Sequence, residues 1–86
     1  MSDHVEVEPT LFGVMYPRGG VIGDEFDVVM DRDAHGTIAR DRVAEAGIKV
    51  RPDALIGHFT IYLASAEDFI LLGGVPGLSL RAPDPS

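Results

Sequence analysis

Asp31, Asp33, His35 and Asp41 are the residues whose types and spacing come nearest to a ligating or proton-transferring set. They fall in or just after the run Asp31-Arg32-Asp33-Ala34-His35-Gly36-Thr37-Ile38. Alternate carboxylates can turn several hard oxygens towards one divalent cation. Asp31, Asp33 and Asp41 are therefore the candidate ligands of such an ion. His35, beside Asp31 and Asp33, could form an acid–base pair with either. The competing reading is an Asp-rich turn, in which the carboxylates bond nearby backbone amides and Gly36 supplies a positive φ. The turn is the favoured reading, because nearby carboxylates and a histidine are common in loops without any catalysis.

The same eight residues resemble the start of an EF-hand calcium loop, with acids at positions one and three, glycine at six and an apolar residue at eight. That resemblance would imply a calcium site. It breaks at position five, where His35 offers nitrogen, and at position twelve, where Arg42 stands in place of a bidentate glutamate. Asp41 is one residue short of that place, and the preceding segment reads as strand instead of helix. No metal and no cofactor are assigned on this pattern.

The other chemistry-bearing residues are more dispersed. His4, His35 and His58 fit no metal-ligand spacing such as HExxH. His58 shares a strand face with Thr60 and Tyr62, which is either a small polar binding patch or the wetter side of a half-buried strand. The second reading is preferred, since nothing in the sequence supplies a partner for the histidine. Arg18-Gly19-Gly20-Val21-Ile22-Gly23 is rich in glycine, but Asp24, Glu25 and Asp27 follow at once and would repel phosphate. It reads as a hairpin with a bulge. Ser79 lies outside any nucleophile-elbow pattern.

Several short elements must position these residues. Thr10 to Tyr16 is a strand with Phe12, Val14 and Tyr16 on one face and Leu11, Gly13 and Met15 on the other. Phe26 to Asp31 is a second, and Val21 and Ile22 read as the start of a return strand before it. Ser2 to Glu8 alternates like a short edge strand. Ala39, Val43 and Ala46 have helical spacing, and Gly47 suits the left-handed position after a helix. Ile48 to Arg51 is extended and Pro52 closes it. Leu55 to Ala64 reads as one long strand with Phe59, Ile61 and Leu63 on its apolar face. Ser65 would cap a second short helix, with Phe69 to Leu72 as a buried strand the competing reading. Leu78 to Arg81 is a last strand.

These elements make the chain α+β and mostly β: a small antiparallel sheet or partly open barrel of five or six short strands. One or two short helices lie near residues 38–46 and 66–72. Residues 1–86 are expected to form a single domain, with 1–9 and 82–86 as peripheral tails.

Composition bounds the function. The net charge of −7, from 14 acids against 7 bases, argues against direct binding to nucleic acid or to anionic membranes. There is no cysteine, so neither disulfide nor thiolate zinc can staple the fold. No signal-peptide pattern is visible, which makes the cytoplasm, or a virion assembled there, the expected location. The favoured expectation is a non-enzymatic interaction module that docks onto or stabilises a larger assembly. It would be an accessory or decoration protein of a viral particle, or an accessory subunit, with a protein, itself or an assembly as partner. The first alternative is an acidic mimic of nucleic acid that blocks a nuclease or DNA-binding protein. The second is a small enzyme subunit using His35 or His58 with neighbouring acids. The residues expected at the interaction surface are Asp24, Glu25, Asp27, Asp31, Asp33, Phe12, Tyr16, His58 and Tyr62.

Overall fold

The computed structural model of the protein describes residues 10–18 and 24–83. The expected strands over residues 2–8 and 21–22, and most of the glycine-rich loop, lie outside the described residues. The described elements are β1 (Leu11–Pro17), β2 (Glu25–Met30), α1 (His35–Glu45), β3 (Lys49–Pro52), β4 (His58–Tyr62), α2 (Ala66–Gly73) and β5 (Leu78–Arg81). The strands form one open five-stranded sheet in the order β3-β4-β2-β1-β5. Three ladders are antiparallel and β1 and β5 run parallel, so the open sheet is mixed; with its two helices the chain is α+β and mostly strand, as expected.

The parallel ladder follows from connectivity. A parallel neighbour needs a crossover, and α2 provides it between β4 and β5. The α1 segment makes a second crossover from β2 to β3, around β4. Each strand buries the alternate set that its pattern marks as apolar. Leu11, Val28, Phe59 and Ile61 turn to the helices and are almost wholly buried. Ala39 and Val43 of α1 meet them with no remaining exposure. Fully burying a side chain such as Ile61 or Phe59 contributes about 1.5–3 kcal/mol. Arg42 ties α1 to the approach to β5 by donating to the Pro76 carbonyl at 3.1 Å.

Four local differences from the sequence reading have physical causes. Helix α1 begins at His35, three residues before the expected start. Gly36 is helical and has no positive φ; its role is close approach. A Cβ there would stand 2.6 Å from the Gly57 Cα, so only glycine lets the helix touch the β3–β4 turn. Leu55 to Gly57 belong to that turn and not to a long strand. Asp53 Oδ1 accepts the Leu55 amide at 3.1 Å and Gly57 takes φ 82°, which delays β4 until His58. Ser65 occupies the N-cap of α2, but its hydroxyl makes no capping bond. Asp68 in the first turn reaches back past the cap instead, its carboxylate accepting the Ala64 amide at 2.9 Å. Gly47, with φ 99°, takes the left-handed place after α1 as expected.

No helix among the described residues is long and apolar enough to cross a membrane.

The glycine contact makes a contrast testable. Gly36→Ala is expected to lower unfolding free energy by about 1–3 kcal/mol, because helix and turn must separate. Gly73→Ala, where an added Cβ meets nothing within 4 Å, should stay within about 1 kcal/mol of the parent. Urea denaturation of both variants checks this.

Candidate interaction surface

Because both helices sit on one side, the other set of alternate side chains forms an outer face that no described element covers. The register places its residues in rows. Arg51, Thr60, Asp27 and Tyr16 lie side by side across β3, β4, β2 and β1. The next row is His58, Val29, Val14 and Arg81. Phe12 stands beside Ser79 at the end of β1. Phe12 is 45% exposed and Tyr16 43% exposed, whereas Leu11, one residue from Phe12, is 2% exposed. The strand thus sorts its alternating side chains into core and surface, and both surface aromatics lie on one edge-proximal strip.

The acids beside this strip are held by arginines. Arg18 donates to Glu25 at 3.0 Å and lies 3.5 Å from Asp27. Arg51 reaches Glu25 at 3.2 Å and stacks 5.9 Å from the Tyr62 ring centre. Thr60 is 1% exposed and its hydroxyl donates to Asp27 at 3.3 Å. Two arginines, two acids, a threonine and a tyrosine therefore make one polar network across three strands. These pairs are partly exposed, so each contributes little to stability, but together they fix the side chains in place.

The other expected site residues scatter. His35 Nδ1 lies 3.2 Å from Asp31 Oδ1, within hydrogen-bond distance. This pair joins the end of β2 to the first turn of α1. Asp33 packs on Gly57 and Asp41 lies 3.9 Å from Arg40. No group of three or more histidines and acids converges among the described residues, so Asp31, Asp33 and Asp41 do not make a common cation site. Asp24 lies apart from the outer rows, beside Tyr62 and Asp68 in an open groove of about 640 Å³ that Lys49 and Arg51 also line. Every buried side-chain nitrogen or oxygen among the described residues has a partner. Among the described residues no carboxylate or hydroxyl bonds the His58 ring, which sits half-buried beside Val29.

The sequence reading missed two apolar exposures. Leu55 and Ile56, read as strand residues, are 61% and 73% exposed in the β3–β4 turn. Helix α2 has no buried residue, and Phe69, Ile70 and Leu71 are all exposed. Three successive large apolar residues in so short a helix were the available signal, since one narrow helix face cannot hide three neighbours in sequence.

Compared with protein-family models, with curated proteins and with solved structures, the chain matches none.

The sorting on β1 and β4 has a measurable consequence. Phe12→Ser should lower unfolding free energy by only about 1 kcal/mol, since nearly half of the residue is already exposed. Thr60→Val should cost about 1–2 kcal/mol, because it strips a donor from Asp27 in the network. Thermal or urea unfolding of the two variants compares them directly.

Proposed function

We propose that the protein is a non-enzymatic interaction module that docks onto a larger protein assembly through the outer face of its sheet. The assembly is a viral particle or a multi-subunit complex, on which the chain serves as an accessory component. The single observation that carries the reading is the pair Phe12 and Tyr16, exposed on an ordered strand beside a fixed polar network. An apolar centre with a polar, hydrogen-bonding rim is the anatomy of a protein contact. Tyrosine, phenylalanine and arginine are also enriched at such centres, and all three lie here.

The charge pattern favours this reading over nucleic-acid mimicry. A mimic needs free acids along one exposed face to stand for phosphates. Glu25 and Asp27 share two arginines instead, and Asp31 is engaged with His35. An enzyme subunit built on His58 would require a base or acid aligned with its ring; Asp53 lines the same groove as His58, but among the described residues no carboxylate bonds the imidazole.

The test is a complex isolated from the native host with a tagged full-length chain. Phe12→Asp and Tyr16→Asp should each weaken the stoichiometric complex at least tenfold, equivalent to about 1.4 kcal/mol. Raising salt from about 0.1 M to 0.5 M should change the affinity by less than tenfold, as expected for apolar docking. Steep loss of binding with salt, together with indifference to both aromatic variants, would instead favour mimicry and sink the docking surface. An activity of the parent complex that disappears in His58→Ala would favour the enzyme reading.

A further inference from the structure

We propose that the protein pairs with a second copy of itself through β5, joining two sheets into one across a two-fold axis. Among the described residues β5 has a neighbour on one side only. An edge strand offers alternate backbone groups to another strand. Their phase follows from the parallel ladder: the Leu11 amide donates to the Gly77 carbonyl at 2.6 Å, with Leu11 opposite Leu78. Gly77, Ser79 and Arg81 therefore turn their backbone groups to β1, and Leu78 and Leu80 turn theirs outwards.

An antiparallel pair centred on Ser79 places Leu78 opposite Leu80 of the second copy, twice. Both leucines point to the helix side, where they are only partly buried and pack at the margin of the core. This register keeps both helix layers on one side of the joined sheet; a slip by one residue would send them to opposite faces. The same side carries a groove of about 410 Å³ lined by Met15, Phe69, Leu72, Leu78 and Leu80. Helix α2 overhangs it with Phe69 51%, Ile70 74% and Leu71 42% exposed. Pairing the edges would bring the two α2 helices together over these leucines and cover what one chain leaves open.

Charge indicates which partner this edge takes. Every one of the 14 acids lies outside residues 9–23 and 69–83, the two segments that supply β1, β5 and the apolar part of α2. Those segments carry only Arg18 and Arg81. A chain of net charge −7 would repel its own copy at most of its surface, but least along β1 and β5, which carry no acid. β1 and β5 offer a basic partner no acid, and the acids nearest them on α2 are Glu67 and Asp68 of its first turn. A second copy, with identical Leu78 and Leu80 to offer, fits both the apolar and the electrostatic requirement. The joined dimer would also set two copies of the Phe12/Tyr16 strip on one continuous outer face, so that docking becomes bivalent.

Two readouts on the full-length chain test the pairing. Sedimentation velocity should show a monomer–dimer equilibrium, and Ile70→Asp should raise its dissociation constant at least tenfold while the circular dichroism spectrum and melting curve persist. The chain has no cysteine, so Ser79→Cys introduces a single thiol. At the two-fold, Ser79 would face its own copy in a pair without ladder bonds, at a Cα separation of about 4.5 Å, which suits a disulfide. Under mild oxidation Ser79→Cys should form covalent dimer at least ten times faster than Phe12→Cys on the outer strip. A wild-type chain that stays monomeric at about 1 mM overturns the proposal. So does cross-linking at position 79 no faster than at position 12.

Discussion

β2 and β4 run in opposite directions at the centre of the sheet, and each feeds a helix-bearing crossover. The two crossovers also travel in opposite directions across the sheet, one to β3 and one to β5. Reversing both the strand and the direction of travel preserves the side on which a crossover of given hand must lie. α1 and α2 are therefore bound to one face. The sheet acquires a covered side and a bare side from topology alone, before any particular side chain is considered. The alternation of every strand then has a meaning: the set facing the helices becomes core, and the other set becomes surface.

The covered side is not covered evenly. α1 lays Ala39 and Val43 against β2, β3 and β4, and small residues let it approach closely. Gly36 against Gly57 extends that closeness to the helix's first turn. α2 spans only Ala66–Gly73, while its crossover must pass over β2 and β1 to reach β5. Leu72 packs against the core and Phe69 meets Phe26 edge-on at 6.2 Å, but no α2 residue is buried. A chain of this size buries roughly 60% of its unfolded surface, so one poorly covered flank is a substantial share of what it has. Met15, Leu78 and Leu80 on that flank remain partly open for the same reason.

Much of this arrangement was legible in the residues, and the exceptions are instructive. Phe12/Val14/Tyr16 against Leu11/Gly13/Met15 reads directly as two faces, and Phe59, Ile61 and Leu63 read as core, because strand period is a local property. The helix near residue 38 and the strand at Leu78 are equally local. What failed was long-range. Alternation ran on through Leu55 and Ile56, but Asp53 and Gly57 close a turn there, and the closure depends on α1 packing against it. Gly36 looked like a turn glycine because its contact, Gly57, lies far along the chain. The parallel ladder of β1 with β5 was invisible for the same reason. The acid cluster was seen, but not the fate of Glu25 and Asp27, since Arg51 arrives from another strand.

The charge distribution follows the same division of the sheet. Glu25 and Asp27 lie on β2, and Asp41 and Glu45 on α1, whereas β1 and β5 carry no acid at all. Strands β1 and β5, where α2 leaves leucines open, are thus free of acids, and the acids on that flank, Glu67 and Asp68, are confined to the first turn of α2. The two features reinforce each other physically. Solvated carboxylates near a thin apolar flank would hold water against it and oppose burial, because stripping an acid of water is costly unless a cation replaces it. Keeping acids off β1, β5 and the later turns of α2 lowers the cost of covering those residues with another apolar surface. At the same time the acidic half repels like-charged neighbours over distances comparable to the Debye length of about 8 Å at physiological salt, which disfavours association in other orientations. Net acidity and the acid-free strands therefore act in opposite directions: the first disfavours random contact, and the second leaves β1 and β5 as the part of the sheet that like charge opposes least.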